Sequence, residues 1–391
     1  MIRQATLRDL DGLVELERRC FATDLISRRS FRYLLTRANA AILVAEEDDG
    51  LAGYALVLFS RGTALARLYS IAVDGAFRGR GIGRGLLSAA EAEALALGCV
   101  SMRSEVRLDN QASLALFEGN GYRRLEEIED YYEDHMGAFR FERTLAPQLE
   151  LTQVRVPYYQ QTTDFTCGPA CLMMAMKAID GTLRIDRRLE LRLWREATSI
   201  FMASGHGGCG PFGLALSAHR RGFGAELFVK QRGVFLVDTV RDPDKKEVMR
   251  LVEEDFLDRI RELDLPLHHR AARFSEVQEL FDAGGIPLVL ISSWRIYQER
   301  FPHWVVITGF EERFIYVHDP YVDVGQAETV ADRINMPIAR SEFEAMARFG
   351  RSGQRAVLVV WPRGAQRPAA TDQARQPAGR GRSPVRARRR S

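Results

Sequence analysis

At 391 residues and 46% hydrophobic side chains, the chain exceeds what one hydrophobic core usually organises, so two folded domains are expected. It has no run of about 18 apolar residues and no apolar leader core, which argues against a membrane span and a secretory signal. Its five cysteines include no CxxC pair, which argues against a disulfide framework and a zinc site. The net charge of +3 originates in the Arg-rich residues 363–391, so the globular remainder is mildly acidic. We expect a cytoplasmic protein that contacts no membrane and holds no metal.

Residues 1–146 are predicted to form an α+β domain around a central sheet. Thr6 followed by Asp9 predicts a capping box that opens a helix through about Cys20. The apolar pattern then predicts three strands, at 41–46, 51–59 and about 64–73. The elements expected after them are a glycine-rich run at 78–85, a helix ending near Gly98, a strand at 101–107 and a helix at 110–119.

The glycine-rich run Arg78-Gly79-Arg80-Gly81-Ile82-Gly83 lies between the third strand and a long helix. Unpaired N–H groups and the helix dipole favour a pyrophosphate at such a helix start. A Walker loop would need a Lys, and a dinucleotide-binding fingerprint would need a Gly where Leu86 stands. The pattern that fits is R/QxxGxG/A.

This domain resembles the GNAT acetyltransferases, particularly those that acetylate the N-terminal amines of ribosomal proteins. The resemblance covers about residues 1–145 and includes the Glu105-Val106-Arg107 strand and the Gly121-Tyr122 ending. It implies that Glu105 deprotonates the incoming amine, directly or through water. It also implies that acetyl-CoA is the cosubstrate, held by Ile71, Ala72, Val73, Arg78, Gly79, Arg80, Gly81, Ile82, Gly83, Arg84 and Asn110.

One position departs from the family pattern. Phe117 stands seven residues after Asn110, where the family usually carries a Tyr that protonates the departing thiolate. A phenyl ring cannot donate a proton. We therefore expect water, Tyr122, Tyr131 or Tyr132 to supply it, with less efficient transfer.

Residues 147–156 are predicted to link this domain to a second α+β domain at 157–362. A helix is expected to begin at Cys167, after a turn-rich segment. The apolar pattern predicts strands at 287–292, 304–310, 314–318 and 356–361, and a charged helix at 245–263.

The second domain carries the residues of a thiol catalytic site. Cys167 begins a helix, whose N-terminus favours the thiolate. The amide of Gln161, six residues earlier, can form an oxyanion hole with the Cys167 backbone N–H. His303 and Asp319 follow far downstream and supply a base and the group that orients it.

This constellation resembles the C39 peptidase family over about residues 151–325 and implies a papain-like fold. The resemblance implies that Gln161 is the oxyanion residue, Cys167 the nucleophile, His303 the general base and Asp319 its orienting group. Family members that remove double-glycine leaders sit on membrane transporters with an ATPase. No such segments occur in this sequence, so leader cleavage coupled to export is not implied.

Three neighbouring candidates have simpler interpretations. Cys171, one helical turn after Cys167, is predicted to pack in the core. His318 adjoins Asp319 but points to the opposite face of a continuing strand, which indicates a structural role. His206 lies in a glycine-rich loop that positions a side chain poorly, so we interpret the loop as a mobile segment near the substrate.

The patterns together predict a bifunctional enzyme that acetylates an amine, such as a peptide or protein N-terminal α-amine, and cleaves a peptide or amide bond. Two alternatives stay open: a binding protein for peptide termini with a degenerate acetyltransferase, and acyl transfer through the same thioester in place of hydrolysis. Residues 363–391 are predicted to be disordered. Their charge could contact RNA or ribosomes, although no defined nucleic-acid site accompanies them.

Overall fold

The computed structural model describes residues 1–47, 50–146, 152–198, 207–231, 234–237, 240, 242–323, 328–350 and 352–364. Each half of the chain builds one sheet with helices on both faces, which confirms the predicted α+β class. No helix in the described ranges has the length and apolarity needed to cross a membrane. The predicted tail falls outside these residues from position 365 onward.

The first sheet contains seven strands within the described residues, in the order β1-β2-β3-β4-β5-β7-β6. Neighbouring strands are antiparallel except β4 and β5, which pair in parallel over Leu65–Arg67 and Ser101–Arg103. The strands are β1 (Ile2–Gln4), β2 (Ala40–Glu47), β3 (Gly50–Phe59), β4 (Leu65–Val73), β5 (Ser101–Arg107), β6 (Arg123–Ile128) and β7 (Ala138–Thr144). The three strands predicted before the glycine-rich run and the fourth after it are confirmed.

Four helices cover this sheet in the described part of the chain: α1 (Leu10–Cys20), α2 (Arg28–Thr36), α3 (Ile82–Ala96) and α4 (Gln111–Gly119). One core lies between the sheet and α3 and α4, and a second lies under α1 and α2. The capping box at Thr6 and Asp9 is confirmed, although it opens a short 3-10 turn, Leu7–Asp9, directly before α1.

The second sheet has the order β10-β9-β15-β11-β12-β13-β14, and β8 pairs with β12. Its strands are β8 (Thr152–Gln153), β9 (Gly224–Lys230), β10 (Leu267–His268), β11 (Ile286–Ser292), β12 (Pro302–Phe310), β13 (Phe314–His318), β14 (Met336–Ala339) and β15 (Arg355–Trp361). The four strands predicted for this domain are confirmed. The predicted linker differs in one respect: its residues Thr152–Gln153 belong to this sheet because their backbone pairs with the end of β12.

The helices of the second domain are α5 (Cys167–Ile179), α6 (Arg187–Ala197), α7 (Pro211–His219), α8 (Pro243–Glu262), α9 (Phe274–Asp282), α10 (Trp294–Tyr297) and α11 (Arg340–Met346). One core lies between the sheet and α5 to α8, and the other lies under α9 to α11. The predicted starts of α5 at Cys167 and of the charged helix α8 are confirmed to within two residues.

The two domains are joined by a buried contact. Ala64 and Val100 of the first domain pack in one apolar cluster with Phe314 of the second. Ala64 N also donates to Pro337 O at 2.6 Å. Arg103, which is 2% exposed, donates from Nη1 to the backbone oxygens of Ala331 and Ile334. The second domain therefore covers Arg103 and the residues that lead into β4 and β5.

Candidate active sites

The turn between β4 and α3 needs glycine at two positions. Gly79 and Gly81 have φ values of 76° and 79°, in the left-handed region that side chains disfavour. A Cβ at either position would meet no atom within 4 Å, so the backbone conformation, and not a close contact, requires glycine there. Gly81 is the N-cap of α3, which leaves the N–H groups of the first helical turn without a side-chain cap.

This turn lies beside a cleft of about 450 Å³. Ten of the eleven predicted cofactor-binding residues line it. The exception is Arg80, whose guanidinium lies 5.2 Å from the centre of the Phe77 ring. The other lining residues, which the sequence did not indicate, are Cys20, Phe21, Phe77, Ala112, Ser113 and Leu116. They come mainly from the end of α1 and from α4, and no motif marks them.

Asn110 lies at the edge of this cleft and begins α4. Its side-chain oxygen accepts from Ser113 N at 3.1 Å, so the residue caps the helix that lines one wall. With the α3 terminus and the Arg78 and Arg84 side chains on the same cleft, the lining suits an elongated anion with an apolar arm.

Glu105 lies on β5, outside the lining of this cleft, and its side chain is 3% exposed. Its two carboxylate oxygens accept from Arg67 Nε at 2.9 Å and from Arg140 Nε at 3.1 Å. Burial by itself raises the pKa of Glu105, but the two guanidinium charges outweigh burial and lower it. Glu105 is therefore held as a carboxylate in the folded protein.

Phe117 and the three tyrosines predicted as proton donors divide into two groups by location. Phe117 and Tyr122 pack edge to face in the core at 5.0 Å, and the Tyr122 hydroxyl donates to Met102 Sδ. Tyr131 and Tyr132 lie beside Glu105: Tyr131 Oη accepts from Arg67, and Tyr132 Oη donates to the Glu105 backbone oxygen. Of the three predicted proton donors, only these two reach the surroundings of Glu105.

The structure brings Cys167, His303 and Asp319 together. Cys167 is the first residue of α5, His303 lies near the start of β12, and Asp319 directly follows β13. Because β12 and β13 are antiparallel neighbours, the start of β12 and the end of β13 lie at the same end of the strand pair, which brings His303 next to Asp319. His303 Nε2 lies 2.6 Å from Asp319 Oδ1, and the Cys167 thiol lies beside the same imidazole.

Charge stabilises the protonated form of this imidazole. Burial alone lowers the pKa of His303, whereas the adjacent Asp319 carboxylate outweighs burial and raises the pKa to about 10. Asp319 is fully buried, and its pKa is lowered because the charge on His303 offsets its own burial. An imidazolium between a carboxylate and a thiol favours the thiolate.

Further contacts fix the Asp319 carboxylate. Tyr297 Oη donates to Oδ2 at 2.6 Å, and Tyr321 N donates to Oδ1 at 2.9 Å. Asp319 N donates to Arg333 O at 3.0 Å, and the Arg333 guanidinium lies 4.8 Å from the centre of the Tyr297 ring. Neither Tyr297 nor Arg333 lies in a recognisable motif, so sequence reasoning did not indicate them.

Gln161 lies in the loop that precedes α5. Its backbone N donates to Pro320 O at 2.9 Å, which joins this loop to the turn after Asp319. Its side-chain Nε2 donates to Thr163 O at 2.8 Å, while Oε1 is buried without a partner among the described residues. Since an amide nitrogen carries two hydrogens, one of them is available for another acceptor.

A buried carboxylate on α6 holds the same loop. Glu190 is 0% exposed and accepts from Tyr159 Oη at 2.9 Å, from Thr162 N at 2.8 Å and from the hydroxyls of Thr162 and Thr166. These bonds fix both the residues around Gln161 and the residue before Cys167. Sequence reasoning missed Glu190, because the amphipathic pattern of α6 does not distinguish it from a surface glutamate.

The neighbouring residues have the structural surroundings expected of them. Cys171 is fully buried, and its thiol donates to Trp304 O at 3.2 Å. His318 contacts Val156 O through Nε2 and accepts from Asn335 N at Nδ1, away from Asp319. The prediction for His206 falls on a residue outside the described ranges.

A model of the Peptidase_C39 like family matches residues 156–361, more than half of the chain. The chain belongs to this family. The match includes all four residues predicted for the thiol site, so we call the second domain the C39-like domain.

The first domain matches the model of the acetyltransferase (GNAT) family over residues 10–122. An uncharacterised N-acetyltransferase of Methanocaldococcus jannaschii is 31% identical over 135 residues, which cover 34% of this chain and 85% of that protein. The ribosomal protein bS18-alanine N-acetyltransferase of Salmonella typhimurium is 32% identical over 136 residues, with coverages of 33% and 84%. The first domain is therefore a GNAT acetyltransferase domain.

Among solved structures, the ribosomal-protein-S18-alanine N-acetyltransferase from Escherichia coli aligns with 37% of this chain and 93% of its own, at 24% identity and a TM-score of 0.34.

Proposed function

We propose that the chain is a bifunctional enzyme. The GNAT domain acetylates the N-terminal α-amine of a peptide or protein, and the C39-like domain, on a papain-like fold, cleaves a peptide or amide bond. The observation that carries the proposal is that Cys167 and Asp319, from separate elements, both lie against the buried imidazole of His303. The similarity to bS18-alanine N-acetyltransferases supports the choice of an α-amine.

In the GNAT domain, the cleft residues fit acetyl-CoA, which would supply the activated acetyl group. The α3 N-terminus with Arg78 and Arg84 would hold the pyrophosphate, and the Ile71–Val73 strand and Asn110 would hold the pantetheine arm. Glu105 would take a proton from the amine through water, because its two oxygens are engaged by guanidinium groups. Tyr131 or Tyr132, or water, would return a proton to the leaving thiolate.

In the C39-like domain, His303 would hold the proton of the Cys167 thiol as an imidazolium, and the resulting thiolate would attack the acyl carbon of the scissile bond. The Gln161 amide and the Cys167 backbone N–H would stabilise the oxyanion. His303 would give its proton to the leaving amine as the carbon–nitrogen bond breaks. It would then accept a proton from the water that hydrolyses the thioester, and release of the acid would restore the imidazolium beside the Cys167 thiolate.

The test is one incubation of the full chain with a peptide library and acetyl-CoA, followed by mass spectrometry. Cys167→Ala should abolish cleavage and leave acetylation of free α-amines within about twofold of wild type. Glu105→Gln should lower acetylation by about 10²-fold and leave cleavage unchanged.

Cys171→Ala is the matched control for Cys167→Ala, because it removes a buried thiol one helical turn away. It should retain both activities. Cleavage by the Cys167→Ala variant would disprove the thiol mechanism, and a wild-type chain that acetylates no amine would disprove the transferase function. If an added amine becomes acylated where hydrolysis was expected, the second domain is an acyltransferase.

A further inference from the structure

The guanidinium of Arg67 connects the two domains at the acetyl-transfer site. Its Nε donates to Glu105 at 2.9 Å, its Nη2 donates to Tyr131 Oη at 2.7 Å, and its Nη1 donates to Asp332 of the C39-like domain at 3.3 Å. The side chains of Arg67, Glu105 and Asp332 are all less than 10% exposed. The contact between the domains therefore includes the proposed acceptor site of the transferase.

We propose that Asp332 is a positioning residue of the acetyl-transfer site, which shares the Arg67 guanidinium with Glu105 and so keeps Glu105 basic enough to accept a proton. This inference rests on the acetyl transfer proposed above. It means that the C39-like domain supplies part of the transferase site.

Charged side chains around Glu105 set its pKa. Arg67 on β4 and Arg140 on β7 both lower its pKa. Tyr131 and Tyr132, from the loop before β7, are neutral at physiological pH because burial raises their pKa values. Asp332, a carboxylate of the second domain, thus shares the Arg67 guanidinium with Glu105.

The Arg140 guanidinium is also shared between two carboxylates, because it pairs with Glu105 and with Glu126, whose side chain is 47% exposed. Solvent screens that pair more strongly than the buried Arg67 contacts. If the charge at Asp332 is removed, Glu105 becomes the one carboxylate of this pair that the Arg67 guanidinium stabilises. The pKa of Glu105 would then fall further, and its capacity to accept a proton would decrease.

The position of the Asp332 carboxylate is set by both domains. Oδ2 also accepts from Thr329 N at 2.8 Å and from Thr329 Oγ1 at 3.1 Å, in a capping box that opens the 3-10 turn Val330–Arg333. Arg103 of the GNAT domain holds the same turn through Ala331 O and Ile334 O. An asparagine at 332 can still accept from Thr329, so Asp332→Asn removes the charge and keeps the cap.

The test compares acetyl transfer by the full-length wild-type and Asp332→Asn chains as a function of pH. Asp332→Asn should lower kcat about tenfold and move the acid limb of the kcat profile to lower pH by about one unit, since a less basic Glu105 is deprotonated at lower pH. The KM for acetyl-CoA should not change, because Asp332 lies outside the cleft lining. Asp332→Glu, which retains the charge, should recover most of the rate.

Asp282→Asn is the matched control, because it removes one exposed carboxylate at the end of α9. Its pH profile should coincide with that of wild type. If Asp332→Asn does not fold, Asp332→Ser replaces it, since serine also removes the charge that shares Arg67 with Glu105. An active wild type whose profile is unchanged by the substitution overturns this inference alone. A wild-type chain without acetyl transfer overturns the proposed function and this inference together.

Discussion

At the level of single residues, the five cysteines differ in what surrounds their sulfur atoms. Burial raises the pKa of the thiols of Cys20, Cys99, Cys171 and Cys209. Cys167 instead lies beside the His303 imidazole, whose pKa is raised to about 10, so the ring is protonated near pH 7. A cationic partner of this kind is what makes a thiol reactive at neutral pH.

We therefore expect iodoacetamide at pH 7 to alkylate Cys167 first, as followed by peptide mass spectrometry. His303→Ala should slow that alkylation at least about tenfold, because it removes the cation beside the sulfur. His269→Ala, at an exposed histidine on the same domain, is the control and should have no effect. Alkylation confined to the other four cysteines would contradict the assignment of the nucleophile.

At the level of elements, the turn that opens α3 combines backbone conformation with a cofactor site. Gly81→Asp would place a side chain on a left-handed residue and a negative charge beside the proposed pyrophosphate position. We expect acetyl-CoA binding to weaken more than about 100-fold, measured by calorimetry on the full chain. Gly98→Asp has a similar φ of 81° at the other end of α3 and should bind like wild type. Equal affinities for all three chains would place the cofactor elsewhere.

About half of the helices and strands were predicted, because apolar periodicity and caps are local properties of the sequence. The helix start at Cys167 and the β5 strand at Ser101–Arg107 were predicted at their observed positions. Glu190 was not predictable: its donors lie 24 to 31 residues away, and only the folded loop shows that its carboxylate is buried. The α2 helix was also missed, since it is short and carries several charged residues.

At the level of the whole molecule, a substitution of Arg103 tests how much the contact between the domains contributes to stability. Arg103→Met should fill a similar volume but remove the donor to the Ala331 and Ile334 oxygens and the guanidinium that pairs with Glu142. We expect the free energy of unfolding to fall by about 3 kcal/mol and the thermal transition to separate into two steps in calorimetry. Arg261→Met removes a surface ion pair on α8 and should change stability by less than about 0.5 kcal/mol. A single unshifted transition in Arg103→Met would show that the contact contributes little.

The contact between Arg67 and Asp332 joins residues 265 positions apart, and this separation has a consequence during synthesis. A ribosome that adds about 5–20 residues per second delivers Asp332 roughly 13–50 s after Arg67. During the later part of that interval the strands of the GNAT domain through β7 have been synthesised and can fold, while the acceptor site still lacks the second carboxylate. Acetyl transfer at full rate would then begin only when the chain is nearly complete, so the order of translation itself delays full activity until the second domain is in place.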